Sequence, residues 1–292
     1  VVVITGANSG IGKETARELA KRGAVVVLAC RNKSAAQEAV KDIRTTTGDG
    51  DLIIFDLDLA NLSSVKECAN KIIEKFQHID VLINNAGVAY PSDSDVVTSD
   101  GYEIHFGVNH LGHFLFTNIL LERIKETQGS RIIIVSSSLH KHGVIDFETL
   151  SSPEKSKELL KNRKHRNPFY SDSKLCNILH GQELKRRLAG TGTGVYVLFP
   201  GFVYTGLFRY SLPKYNWIQK LCFLPIAYLF LRSPKQGAQT SVYCAVSKEL
   251  NGIPFGILKD CKMAEVLSPL ASDESLATQL WNFSASLVEK FS

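Results

Sequence analysis

A phenol and an ammonium stand four residues apart in Tyr170-Ser171-Asp172-Ser173-Lys174. In a helix that spacing sets them one above the other. An ammonium beside a phenol favours the phenolate, lowering a pKa that starts near ~10, so the tyrosine can trade protons near neutral pH. By itself the spacing is weak evidence, because such pairs are common on solvated helix faces. Leu175, Ile178, Leu179, Leu184 and Leu188 follow at helical intervals and predict an amphipathic helix to about Leu188. What the pair is for depends on the rest of the chain.

The chain opens on Val1–Ile4, a β-branched run of the kind buried on both faces of a parallel sheet. Thr5-Gly6-Ala7-Asn8-Ser9-Gly10-Ile11-Gly12 comes next, then a helix to about Arg22, a stop at Gly23 and a strand at Val25–Ala29. That is a βαβ unit whose turn lies at a helix N-terminus, where free amides and the helix dipole suit a pyrophosphate. Glycines there let the backbone approach the phosphates and the helix lie close to the strand. A cofactor without a 2′-phosphate is usually met by an acid at the end of the second strand. Here that place reads Ala29-Cys30-Arg31-Asn32-Lys33, with no carboxylate. Arg31 can be a surface arginine in a turn, or it can hold a 2′-phosphate with Lys33 adding charge. The missing acid favours the second reading, and the expected cofactor is NADP(H).

Strand and helix patterns then alternate. Helices are expected at about Ser34–Thr45, Ser64–Phe76, Gly107–Leu121 (carrying Asn109) and Pro234–Val246. Strands are expected at Leu52–Phe55, Asp80–Ile83, Ile132–Val135, Val195–Phe199 and Phe255–Leu258. Asp56 and Asp58 close the third strand, and either can accept from an adenine amino group. Asn84-Asn85-Ala86-Gly87 ends the fourth strand, where open α/β sheets bind ligands. Ser136, Ser137 and Ser138 end the fifth, and Pro200-Gly201 ends the sixth. Residues 144–168 read as an inserted polar loop with a short helix, and 202–235 break the rhythm as an apolar and aromatic lid. The alternation predicts one doubly wound Rossmann-type parallel sheet over 1–292, with a mainly cofactor-binding half (1–135) and a catalytic and substrate half (136–292).

With 292 residues, 44% hydrophobic and 22% charged, the chain is long enough for a sizeable core. A net charge of +5 is mild, and much of it sits in the Lys155–Arg166 run. Basic residues spread along a surface with interleaved aromatics are absent, which excludes a nucleic-acid partner. The six cysteines are scattered without a C-x-x-C and are expected as reduced thiols in a cytosol-facing protein. No signal peptide is present, and the opening inside a strand leaves room for an upstream anchor or targeting segment.

With these motifs in order, the whole chain resembles a classical short-chain dehydrogenase/reductase. Thr5-Gly6-x-x-x-Gly10-Ile11-Gly12, Asn84-Asn85-Ala86-Gly87, helical Asn109, a serine after the fifth strand, Tyr170-x-x-x-Lys174 and Pro200-Gly201 all match that pattern. Within the family it is most similar to the retinol dehydrogenase-like reductases, through Cys30-Arg31, Leu57-Asp58-Leu59, Asn109-His110-Leu111-Gly112-His113-Phe114, Asp260-Cys261-Lys262 and Leu280-Trp281. The likeness favours Asp58 over Asp56, and it picks Ser137 from the three serines with Ser138 as fallback. It implies catalysis by Asn109, Ser137, Tyr170 and Lys174. Ser137 and Tyr170 would bond the substrate oxygen, Lys174 would hold the nicotinamide ribose, and Asn109 would fix a water reaching Lys174. It implies cofactor contacts from Gly6, Asn8, Ser9, Gly10, Ile11, Gly12, Arg31, Asn32, Asp58, Leu59, Asn85, Ala86 and Gly87, with Tyr170, Lys174, Pro200, Gly201, Val203 and Thr205 completing the set.

The implied activity is reduction of a carbonyl, or oxidation of an alcohol, on a small hydrophobic substrate, with retinal/retinol ahead of steroids, lipid aldehydes, quinones and xenobiotic carbonyls. A cofactor-binding scaffold that senses redox state is the rival of another class, and the intact Ser137, Tyr170 and Lys174 argue against it. A sugar-nucleotide enzyme is disfavoured by the glycine spacing. No metal is expected: His110 and His113 lie three apart but lack a third ligand and are read as packing. His140 and His142 follow Ser137, either at the surface or touching substrate. Residues 217–231 carry an apolar stretch too short to span a bilayer. It is expected as a lid on the core, or as a lid that also dips into an intracellular membrane surface such as the endoplasmic reticulum, with Lys214, Trp217, Lys220 and Arg232 near the headgroups. Nothing in the sequence sets an oligomeric state.

Overall fold

The computed structural model describes residues 1–91, 94, 96–151, 168–204 and 231–291. Every residue of Val2–Thr5 (β1) is buried, as a strand covered on both faces requires. Gly10–Ala20 (α1) leads back to Val26–Cys30 (β2), and Lys33–Thr47 (α2) to Leu52–Asp56 (β3). Asn32 and Asn61 start α2 and Leu62–Lys75 (α3) by accepting the amides of Ala35 and Ser64. Val81–Asn84 (β4), Gly112–Lys125 (α4), Arg131–Val135 (β5), Phe147–Ser151 (α5), Pro168–Arg187 (α6) and Gly194–Phe199 (β6) follow. Pro234–Val246 (α7), Phe255–Lys259 (β7), Lys262–Met263 (β8) and Glu274–Val288 (α8) complete the described elements.

Among the described residues the strands form one sheet in the order β3-β2-β1-β4-β5-β6-β7-β8, parallel except for the last pair. The chain reverses direction across the sheet between β1 and β4, and ligands of open α/β sheets bind at such a switch. The one-residue alternation of each strand separates two cores. Val3, Val27, Leu82, Ile132 and Val197 face α3, α4, α6 and α8, whereas Ile4, Leu28, Ile83, Ile133 and Leu198 face α1, α2 and α7.

Three findings depart from the sequence expectations. The helix around Asn109 begins as a π-helix, Phe106–Leu111, before α4 proper. Its wider turn holds Asn109 fully buried, bonded to the backbone of Val88 and to Ser173. The Tyr170 helix, α6, is not amphipathic in the ordinary sense: Ser171, Asp172, Ser173, Lys174 and Asn177 are buried along with its leucines. Its polar side faces other polar groups instead of water. Helix α8 was not anticipated; Asp273 caps it, and its Trp281 packs edge-on against Phe114 at 4.8 Å. Cys30, Cys68, Cys176, Cys244 and Cys261 are free thiols. No helix among the described residues is long and apolar enough to cross a membrane. The expected apolar lid, apart from residues 202–204 and 231–235, and nearly all of 217–231 lie outside the described residues.

Candidate active site

The carboxyl ends of β1, β2 and β4 open into a cleft of about 450 Å³. Gly6, Asn8, Ser9, Gly10, Ile11, Gly12, Arg31, Asn32, Asp58, Leu59, Asn85, Ala86 and Gly87 all line it. The turn out of β1 works because it is short of side chains. Gly6 has a φ of +66°, and a Cβ on Gly12 would lie 2.5 Å from both the Gly6 carbonyl and Asn85 Nδ2. With the N-terminus of α1 at its wall, the cleft presents amides and the positive end of a helix dipole. These residues fit a dinucleotide. Asp58 lines the cleft and Asp56 does not. Arg31 reaches Asp58 at 3.8 Å and is otherwise more than half exposed at the rim.

At the far end the cleft reaches Gly87, and there the second set of groups begins. Lys174 Nζ and Asn109 Oδ1 lie 3.7 and 3.3 Å from the point where Gly87 would carry a Cβ. Lys174 Nζ donates to the Val135 carbonyl at 3.0 Å and stands 5.6 Å from the Tyr170 ring centre. Ser137 hydrogen-bonds the Tyr170 phenol, whereas Ser136 Oγ donates to the Lys174 carbonyl at 2.7 Å and Ser138 opens a short 3-10 helix. The adjacent serines therefore have separate partners, and Ser137 is the one on the phenol.

The acid–base properties of the pair differ from the sequence expectation. Burial pushes Tyr170 up to about 12, against a smaller lowering by the Ser137 bond. Burial brings Lys174 down to about 8. Both groups are removed from water, so the neutral form of each is favoured. Lys174 does not by itself depress Tyr170 here, because its ammonium is turned to the Val135 carbonyl.

Beyond β6, Gly201 has a φ of +83°. Val203 pairs with Arg232 in a parallel bridge, and a Cβ on Gly237 would meet Val203 at 2.7 Å and Ile11 at 3.1 Å. The turn after β6 thus sits over the glycine turn after β1. Thr205 lies outside the described residues, as do Lys214, Trp217 and Lys220.

The histidines are more deeply used than the sequence suggested. His140 is fully buried, its Nδ1 donating to the Ser137 carbonyl at 2.7 Å and its Nε2 accepting from Leu267 N at 3.0 Å. Its ring stacks on Phe199 at 5.0 Å, while His142 is exposed. His110 bonds Ser284 at 2.9 Å, and burial among His180 and His113 holds it well below the usual range. Sequence reasoning missed Glu103 and His105. A buried hydrogen bond joins His105 Nδ1 to Glu103 Oε1 at 2.6 Å, His105 Nε2 accepts from Tyr90 N at 2.9 Å, and the His105 ring stands 6.2 Å from that of Tyr170. The available signal was an acid and a histidine two apart among Tyr102, Ile104 and Phe106.

Comparison with known proteins agrees with the fold. A family model described as short chain dehydrogenase matches residues 1–152. Retinol dehydrogenase 14 of Mus musculus is 42% identical over 98% of this chain and 85% of its own length. Retinol dehydrogenase 11 of Homo sapiens is 43% identical over 99% of this chain and 85% of its own length. Among solved structures, an actinorhodin polyketide ketoreductase with NADPH superposes with a TM-score of 0.68 at 23% identity, covering 88% of this chain and 94% of that one. A 3-ketoacyl-(acyl-carrier-protein) reductase from Brucella melitensis with NADH gives 0.64 at 24% identity, covering 88% and 94%. At those identities the structural likeness shows the fold.

Proposed function

The chain belongs to the short-chain dehydrogenase family, and on that premise we propose that it uses NADP(H) to interconvert a carbonyl and an alcohol on an apolar substrate, a retinoid foremost. The observation that carries the reading is the buried Tyr170–Lys174 pair, with the half-buried Ser137 on the phenol, at the inner end of a dinucleotide-shaped cleft. A non-catalytic scaffold would bear the cost of burying an ammonium and a phenol without using either.

When bound, the nicotinamide supplies or accepts the hydride. Ser137 donates a hydrogen bond to the substrate oxygen, and Tyr170 gives that oxygen its phenolic proton during reduction. Lys174, with a pKa of about 8, carries its charge at neutral pH. Were it to leave the Val135 carbonyl to hold the cofactor ribose, its charge beside the phenol would favour the phenolate and offset the burial of Tyr170. Asn109 holds the Val88 backbone and Ser173 and so keeps Lys174 and Gly87 in register. Arg31, now 3.8 Å from Asp58, would hold the 2′-phosphate in its place. The retinoid assignment rests on the names of the relatives and on the apolar content of the lid sequence. The same reading puts the enzyme on the cytosolic side of an intracellular membrane, where such a substrate dissolves.

The test is a turnover panel with purified protein. NADPH or NADH is offered with all-trans-retinal, a steroid ketone, a long-chain aldehyde and a quinone. Faster NADPH consumption with retinal than with the others supports the reading. Turnover confined to another carbonyl moves the substrate, and equal use of NADH removes the cofactor preference.

A further inference from the structure

One buried histidine connects the two halves of this site. His113 lies on α4, is 3% exposed, and bonds through both ring nitrogens. Nδ1 contacts the Asn109 carbonyl at 3.1 Å, and because a carbonyl only accepts, Nδ1 is the donor. Nε2 is then the acceptor, and Thr5 Oγ1 donates to it at 2.8 Å. Burial holds His113 down at about 4, so the ring keeps this neutral, one-donor, one-acceptor form throughout the neutral range.

The same Thr5 hydroxyl accepts from the amides of Asn85 and Ala86, both at 2.9 Å. On the other side, Asn109 Nδ2 donates to Ser173 Oγ at 3.0 Å, and Ser173 Oγ donates to the Tyr170 carbonyl at 2.8 Å. A path thus runs from the residue before the glycine turn to the backbone of Tyr170, through hydrogen bonds and the covalent frame of Asn109, whose carbonyl meets His113 and whose side-chain amide meets Ser173. Thr5, Asn109 and Ser173 are each fully buried, so no water competes for these bonds. His113 spans the one step where the path crosses from strand to helix.

We infer that His113 is a positioning residue: through Thr5 and Asn109 it locks the cofactor-binding turns to the catalytic helix, so that cofactor affinity and turnover depend on one network. The inference rests on the proposed function for its turnover arm only. Its binding and exchange arms stand without it.

The experiment compares the parent with His113→Phe, His113→Asn, Thr5→Val and the Thr5→Val/His113→Phe double variant. Asn keeps a donor where Nδ1 stands, whereas Phe keeps the ring and no polar atom. NADPH affinity, amide exchange over residues 84–90 and 106–113, and kcat per folded molecule are measured for each. His113→Phe is expected to weaken NADPH about 10-fold and to speed exchange in both segments together, and the double variant should be no weaker than the worse single one. Its kcat should fall roughly 10- to 100-fold, with His113→Asn recovering part of that loss. Full additivity in the cycle overturns the inference. So does parent-like binding, exchange and kcat in folded His113→Phe, or an Asn variant no better than Phe. Should His113→Phe not fold, Thr5→Val and His113→Asn carry the test: both must shift NADPH affinity and exchange in the two segments, and parent-like values overturn the inference. A parent that binds NADPH but turns over no carbonyl counts against the proposed function, and the cycle in NADPH affinity then decides the inference alone.

Discussion

The glycine turn after β1 and the Tyr170 helix meet across Gly87, and they are built from opposite materials. The turn is nearly all backbone: Gly6, Gly10 and Gly12 leave room, and α1 supplies amides. The helix side is nearly all side chain, with Asn109, Ser173 and Lys174 packed out of water and Ser137 half-buried beside them. The first region binds by absence of bulk. The second works by holding polar groups where burial penalises them. Damage to the first should therefore act sterically, and damage to the second through protons and charge.

Tyr170→Phe draws the sharpest line between the two. It should lower turnover by the ~10²–10⁴ typical of an acid–base group while NADPH affinity stays near the parent's. Steady-state kinetics beside a fluorescence titration read both, and joint loss would blur the two regions into one. Gly12→Ala is the converse. Its Cβ would meet the Gly6 carbonyl at 2.5 Å, so cofactor affinity should fall by roughly 10- to 100-fold. Catalysis at saturating cofactor should change little, and a kcat loss as large as that in affinity would contradict the comparison.

Lys174→Met separates function from stability. The folded pKa of Lys174, about 8, lies below its ordinary 10.5. Between those values the unfolded chain binds the proton more tightly, so this group's contribution to stability rises with pH across that window. Below about pH 8 the full burial penalty is present. Lys174→Met should thus abolish turnover yet stabilise the free protein at pH 7 by on the order of 1–3 kcal/mol. The gain should fade above pH 10.5. Denaturant titrations across pH check it, and a less stable variant at pH 7 would show that Lys174 is held at no cost. Smallest is Arg31→Asp. Arg31 is exposed and shares Asp58, so the NADPH preference should drop by about 10-fold, the low end for a charge-assisted contact. Competition binding with the two cofactors reads it, and unchanged relative affinities would release Arg31 from the cofactor.

The backbone-built region was the legible one. Glycine spacing, the β-branched strands and the Pro234–Val246 helix follow from local rules that a sequence shows directly. The side-chain region was legible only in its headline residues. The Tyr170 helix reads as amphipathic because its serines, Asp172 and Lys174 are polar, and no local pattern says that polar residues face other polar residues. The π-helix at Asn109 is invisible for the same reason: its wider turn is sustained by contacts to Val88 and Ser173, far away in sequence. His140 read equally well as a surface residue until its partners, Ser137 and Leu267, came together in the fold. Helix α8 lacked only attention to Asp273, which caps it as local rules predict.

The central claim, that Ser137 and the buried Tyr170–Lys174 pair move a proton while the bound cofactor moves a hydride, is tested most directly by isotope transfer. NADPH deuterated at the reactive nicotinamide carbon is incubated with the protein and all-trans-retinal, and the product alcohol is weighed by mass spectrometry. The account predicts one deuterium on the carbinol carbon with the parent and almost none with Tyr170→Phe. Tight NADPH binding with no labelled alcohol from retinal or any other carbonyl would contradict it, leaving a protein that holds the cofactor and does no chemistry with it.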